Sequence, residues 1–498
     1  MAELYTPDRG LSSRIPILTD SGTKNLSLIR QQNTIYILMC TVIECRHECV
    51  GRKGNDTQYC VCNATYCDDL DPITKQPVGT ILSYQSSKSG DRFKESQLKF
   101  VKQNDHDNAD RVTLTLDKSK RFQKIFGIGA AFTDAAAINI GSLPKDMSDR
   151  VIKDYFSASG IGFSMARIPI AGCDFSTHEY TYDDTKDDYS LEHFTMPDEE
   201  IKYKLGTVTI PQIKLAKQVA QHGLKLYGSP WNTPHWLNDA QKLKTQPDKQ
   251  YETWANYFVK FLDEYKKNGI ELWGLTMQNE PMSFSSMHFL NASIERDFVK
   301  KHLERARLGI WDSGSGYARQ IIDNFSHWVS GWVEWNLALS VFGNPNKDKK
   351  MADAPLIIDV DNKEYFKNPQ FYAIGHFSKF VAPDSVRVEL TASKIEKDFK
   401  SIAFETPDKS VVVVMVNDSP NPIDITISDP AHDIRLNLMG FDGMSDPIAA
   451  LFDSQRQRVV PSVEDNDNNP AVGPLKGSAV HIGLGVVFSD ANLDGLRD

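Results

Sequence analysis

The residues best placed to do chemistry lie in one short stretch, "MQNEP", Met277 to Pro281, which closes the apolar run "IELWGL". A glutamate whose backbone is fixed by the following proline, with an asparagine beside it, suits glycoside cleavage. Asn279 can donate a hydrogen bond to a sugar hydroxyl, and apolar neighbours would raise the Glu280 carboxyl and keep it protonated as a general acid. The tripeptide alone is a weak signal, because Glu280 could instead cap or salt-bridge a loop. Glycoside chemistry normally uses a second carboxyl group on the facing side of the sugar. Nothing in the sequence asks for a cofactor or a metal.

The elements that must position these residues begin near Phe122. "IFGIGAAF" (Ile125 to Phe132), "GFSMARIPI" (Gly162 to Ile170), "LKLYGSPW" and "IELWGLTMQNEP" read as apolar strands. Between them, "DRVIKDYF", "IPQIKLAKQVAQHG" and "YETWANYFVKFLDEYKKNG" have helical spacing. The second of these aligns Ile210, Ile213, Ala216, Val219 and Ala220; the third aligns Trp254, Phe258, Phe261, Leu262 and Tyr265, and Gly269 is placed to stop it. Apolar strands alternating with amphipathic helices predict parallel βα units. In a (β/α)8 barrel the functional residues sit at the C-terminal ends of the strands, where Asp174, Trp231, Asn279 and Glu280 fall. The end of the chain differs: "VRVEL", "SIAFE", "SVVVVMVN" and "IDITIS" read as an antiparallel β-sandwich. Beyond Leu438 the pattern decays into "PSVEDNDNNPAVGP", a loop or disordered tail.

The chain has 498 residues, 40% hydrophobic and 24% charged, enough for two or three domains. A net charge of -10 argues against a nucleic-acid partner, which needs a basic face. Six of the seven cysteines lie between Cys40 and Cys67, and Cys173 stands alone. Zinc spacing is poor, so disulfides in an oxidising compartment explain the cluster better. Asn63-Ala64-Thr65, between Cys62 and Cys67, is a glycosylation sequon and points the same way. "IYILMCTVI" (Ile35 to Ile43) has the length of a signal-peptide core but begins late; a buried strand is the alternative.

Taken together, "FQKIFGIGAAFTDAAAINI", "GIGFSMARIPIAGCDFSTHEYTYDDT", "GSPWNTPHWL", "LWGLTMQNEP", "VSGWVEWNLALS", "FYAIGHFSKF" and "CVCNATYCDDLDP" resemble the animal lysosomal glucosylceramidases. The resemblance runs from about Cys49 to Ile427 with one interruption. It implies a (β/α)8 barrel with a β-sandwich built from both ends of the chain: a leader over 1–45, sandwich over 46–118 and 381–440, barrel over 119–380, and a tail over 441–498. It implies hydrolysis of glucosylceramide with retention of configuration, in a lysosomal or secreted setting. A glycosphingolipid at a membrane surface would be the substrate, with a saposin-like activator and anionic lipid as partners. Glu280 matches the acid/base and Asn279 its neighbour that holds a substrate hydroxyl. Asp174, Trp231 and Trp335 match residues lining the glucose pocket. Cys49 with Cys60, and Cys62 with Cys67, match the two disulfides, leaving Cys40 and Cys45 in or beside the leader.

The second carboxylate is missing from this pattern. In the family it is a glutamate at the end of strand seven, and "VSGWVEWNLALS" matches the last strand. Only 48 residues separate Glu280 from Val329. They read as two helices, "RDFVKKHLERARL" and "GYARQIIDNFSHW", the latter aligning Tyr317, Ile321, Phe325 and Trp328. One βαβ unit needs about thirty residues or more, so strands five to seven cannot fit. Glu334 is the nearest substitute, but strand alternation would set it on the face opposite Trp335. Glu295 and Glu304 read as solvated helix charges. The last sandwich strand is also unrecognisable, with "SAVHIGLGVVF" (Ser478 to Phe488) as its replacement.

Overall fold

The structure is a computed structural model that describes residues 16–19, 22–25, 29–31, 34–36, 47–73, 80–99, 111–196, 209–238, 245–279, 306–346, 352–394, 396, 398–419, 421–431, 434–441 and 448–453. The chain divides into two compact units, Met1–Arg46 and His47–Asp498. The first holds two antiparallel strand pairs, Pro16–Thr19 with Gly22–Asn25 and Ile29–Gln31 with Thr34–Tyr36. The apolar run read as a leader core touches the last of these strands, and its remainder lies outside the described residues.

In the second unit the βα pattern becomes a parallel sheet. β1 (Gly127–Ala131) leads through α1 (Asp134–Gly141) and α2 (Lys145–Phe156) to β2 (Met165–Ile170). Then come α3 (Thr209–Val219), β3 (Lys225–Pro230), α4 (Pro247–Lys267) and β4 (Gly274–Leu275). α5 (Trp311–Ser326), β5 (Gly331–Asn336) and α6 (Pro369–Ser378) complete the set. The order across the sheet is β4-β3-β2-β1-β5, every pairing parallel. Every residue of β1 is buried, as a strand covered on both faces must be. Gly129 is required there: a Cβ would overlap the Met165 carbonyl on β2. α4 buries Tyr257, Phe261 and Tyr265 and ends at Gly269, whose φ of +76° only glycine adopts freely.

Several expectations need correction. The fourth strand is much shorter than "IELWGLTMQNEP"; past Leu275 the Thr276 and Asn279 N–H groups bond the Gly228 and Pro230 carbonyls and keep the chain beside β3. Trp328 does not continue the buried stripe of α5, because the helix ends at Ser326 and Trp328 stands 64% exposed against the edge of Phe122. Among the described residues between Asn279 and β5 there is one helix, α5, and no strand. The helix expected over "RDFVKKHLERARL" lies outside the described residues except for 306–308, which are not helical.

Segments from both ends of the chain build a nine-stranded sheet, in which Val112–Lys124 pairs with Val386–Ala392 and Ile423–Asp429. The strand pattern runs past the expected start of the tail, to Asp453, and the stretch from Pro461 to Pro474 lies outside the described residues. Ile434–Phe441 and Ile448–Asp453 are strands, and the latter joins Val411–Asn417 to Thr80–Ser86. Residues 478–488 lie outside the described residues.

A five-stranded sheet ties the disulfide segment to the barrel side through Gln58–Cys62 and Glu364–Lys367. At its centre the Lys367 Nζ lies 3.3 Å from Asp68 and 3.2 Å from Asp154, all three buried. The Tyr365 hydroxyl donates to Asp154 (2.6 Å) and the Tyr372 hydroxyl to Asp68 (2.7 Å). Burial works against the Lys367 charge, yet the two carboxylates hold its pKa above the ordinary lysine value. Removing the cation would leave two buried carboxylates without compensation. Lys367→Met should therefore cost about 3–5 kcal/mol in denaturant unfolding; a loss below ~1 kcal/mol would show that the network carries little of the fold.

Candidate functional site

The C-terminal ends of β2 to β5 bring together four side chains that the sequence scatters over about 170 positions. Arg167 projects from β2. Its Nη2 donates to the Ser229 hydroxyl of β3 (2.8 Å) and to Asn279 Oδ1 (2.6 Å), and Ser229 also accepts from the Thr276 hydroxyl (2.7 Å). With its oxygen held by Arg167, the Asn279 amide presents its NH2 as the donor for a ligand hydroxyl. Trp231, one residue past β3, and Trp335 on β5 stack face to face, 4.6 Å apart and 7° from parallel. The guanidinium is 4.9 Å from one ring centroid and 5.1 Å from the other, so it sits beside the stack and its hydrogen bonds hold it there.

Trp335 reaches this place through a bulge. Ala130 pairs with Glu334 and Ala131 with Asn336, so Trp335 is the extra residue in the strand. Plain alternation is thus the wrong argument about Glu334. The Glu334 carboxylate accepts the Trp335 N–H at 2.9 Å. Its charge also acts on Tyr155 of α2: burial raises that hydroxyl well above the ordinary tyrosine value and Glu334 adds to it.

A cavity of about 740 Å3 opens in front of this cluster, walled by Tyr180, Trp231, His235, Trp236, Gln278 and Asn279, with Glu179, Thr181 and Asp184 among its polar lining. The structure places Trp231 and Asn279 in that wall, with Trp335 stacked behind Trp231. Asp174 lies half-buried on the loop after β2, next to Phe175, which meets Trp335 edge-on at 5.9 Å. Glu280 falls outside the described residues. Away from the cavity, Cys49 is joined to Cys60 and Cys62 to Cys67. Asn63 Oδ1 accepts from the Thr65 N–H and hydroxyl, both at 2.9 Å. Arg167 was missed as a site residue, although a lone cation in the otherwise apolar "MARIPI" was a usable signal.

Comparison with known proteins bears on what this arrangement is. Residues 125–306 and 289–381 match the glycosyl hydrolase family 30 TIM-barrel domain, and residues 384–445 the beta-sandwich domain of the same family. The chain belongs to glycosyl hydrolase family 30. It is 34% identical over 480 residues to the lysosomal acid glucosylceramidase of Mus musculus, spanning 77% of this chain and 92% of that protein. Putative glucosylceramidase 3 of Caenorhabditis elegans is 32% identical over 478 residues, 76% of this chain and 90% of that one. Among solved structures, SrfJ from Salmonella typhimurium superposes with a TM-score of 0.62 at 20% identity, covering 76% of this chain and all of that one. The endo-beta1,6-glucanase BT3312 gives 0.58, also at 20% identity and covering 76% and 100%.

The family 30 barrel match comes in two pieces that meet between residues 289 and 306. The mouse alignment runs over more positions than 77% of 498 residues can fill, so the mouse protein carries sequence with no counterpart here. The strands β1 to β4 and β5 all fall within the matched residues.

Arg167 is the bond-maker of the surviving site. Charge-assisted hydrogen bonds of this kind are worth about 1.5–3 kcal/mol each. Arg167→Met should therefore lower unfolding stability by about 2 kcal/mol or more and change the near-ultraviolet circular dichroism of the indole pair. An unchanged spectrum would mean that Arg167 does not hold the cluster.

Proposed function

We propose that this chain is a glucosylceramidase-like protein that keeps the acid half of a retaining β-glucosidase site and lacks the nucleophile half. The observation that carries the reading is Asn279, fixed by Arg167 at the mouth of the cavity and immediately followed by Glu280. In this reading Glu280 protonates the glycosidic oxygen while Asn279 and Asp174 hold sugar hydroxyls. The substrate class is a β-glucosyl lipid, glucosylceramide by likeness to the mouse lysosomal relative. A lysosomal or secreted location, with anionic lipid and a saposin-like activator as partners, belongs to the same proposal.

A retaining enzyme needs its second carboxyl about 5–5.5 Å from the first, on the far side of the anomeric carbon. The strands that would carry it have no room between Glu280 and Val329. Losing the covalent step removes many powers of ten in rate.

Assay of the purified chain at acidic pH should show no hydrolysis of glucosylceramide or of an aryl β-glucoside above background. Azide can enter where the carboxylate is missing. The aryl glucoside should then give α-glucosyl azide and the phenol, and Glu280→Gln should abolish that product. Hydrolysis without azide would overturn the proposal.

A further inference from the structure

On the loop between β2 and α3, three ionisable side chains are knotted together. Asp188 Oδ2 accepts the His193 backbone N–H at 2.7 Å and lies 3.0 Å from the His193 ring Nδ1; the Ser190 hydroxyl donates to Oδ1 at 3.0 Å. Asp183, 1% exposed, accepts the Thr185 N–H on Oδ1 (3.0 Å), while its Oδ2 is buried without a hydrogen-bond partner. The charge of Asp188 acts on the Asp183 carboxyl, and two buried carboxyl groups in that relation cannot both carry charge cheaply.

The same loop forms part of the cavity wall. The Asp183 carbonyl accepts the Trp236 indole N–H at 2.9 Å, and Trp236 stands edge-on to Tyr189 at 5.5 Å. Thr181, Asp184 and Trp236 all face the cavity. The Tyr182 N–H bonds the Tyr257 hydroxyl at 2.8 Å, anchoring the loop start to α4.

We propose that Asp183, Asp188 and His193 form an acid-set latch that holds this wall of the cavity in place in acid and releases it toward neutral pH. The latch concerns the position of the wall and is independent of whether the site turns over a glucoside.

Burial raises the Asp183 carboxyl to about 6, with Asp188 adding to the effect. Burial pushes Asp188 the same way, but the bonds from His193, Glu192 and Ser190 hold it well below the usual carboxylate range. Below about pH 6 Asp183 is thus neutral and no longer sets a second buried charge against the ionised Asp188, which the His193 backbone N–H and ring nitrogen hold. Asp183 contributes stability that is complete below the ordinary carboxyl value of about 4 and is lost as pH rises through about 6. Asp188 contributes in the opposite sense and loses its share only as pH falls through its depressed value. The other ionisable groups nearby are Asp184, Lys186, Asp187 and Glu192 on the loop, His235 beside Trp236, and Lys249 and Tyr257 on α4, where Lys249 sits 3.6 Å over the Tyr189 ring. Asp188 and His193 are the charges that act most on Asp183.

Hydrogen exchange of the full chain, corrected for intrinsic rates, reads the latch directly. Protection of residues 181–196 should fall on the order of tenfold with a midpoint near pH 6. Asp183→Asn, which stays neutral, should keep its protection at neutral pH. Asp188→Asn removes the neighbouring charge and should lower the midpoint by on the order of one pH unit. Constant protection in the wild type, the same loss in Asp183→Asn, or an unmoved midpoint in Asp188→Asn would each overturn the latch. The last of these decides the matter if Asp183→Asn fails to fold.

Discussion

The parallel pairing of β5 with β1 is the constraint on which the site depends. It sets a strand from late in the chain beside the first strand of the sheet, as closure of a (β/α)8 sheet demands. Through that pairing Trp335 arrives next to Trp231 and Arg167, and the small sheet that follows brings Lys367 to Asp68 and Asp154. A barrel strand normally has neighbours on both sides. Among the described residues β4 and β5 each have one, and unpaired strand edges cost solvation and invite association. The large buried cluster that runs from Phe132 and Phe156 through α6 shows where the compensating stability lies.

Much of this was legible in the sequence because periodicity and burial agree. The strands at Gly127, Met165 and Lys225 are mostly apolar and mostly buried, and of the residues the spacing selects on α3 and α4, Ile210, Ile213, Ala216, Phe261 and Tyr265 are buried and the others half-buried. What was not legible depends on tertiary contact. No local pattern announces the bulge that frees Trp335 from alternation, since it arises from the register between β5 and β1. "IAALFD" looks too short and too close to a polar tail to be a strand until Val411–Asn417 and Thr80–Ser86 supply edges on both sides. Tyr257 shares its helix face with residues that were recognised, yet its hydroxyl makes it read as polar. In the fold that hydroxyl accepts the Tyr182 N–H.

The candidate site divides along the same line. Asn279, Trp231 and Trp335 could be named from motifs, whereas Arg167, which links Asn279 to β3, needed coordinates. The ionised and neutral carboxyls tell a consistent story about environment. Burial raises both Asp183 and Asp353 to about 6, a cost at neutral pH that disappears in acid. Each is raised, so each contributes stability that is lost as pH climbs through that value. Such groups make the fold more stable in acid than at neutral pH.

On the proposed reading the chain holds an acid but no partner nucleophile, and covalent trapping tests this most directly. A mechanism-based β-glucoside inhibitor forms a stable ester only with a carboxylate placed on the far face of the anomeric carbon. Incubation of the purified chain at acidic pH, followed by mass mapping of its peptides, should find no adduct. A labelled aspartate or glutamate, with Glu334 the first position to inspect, would contradict the account.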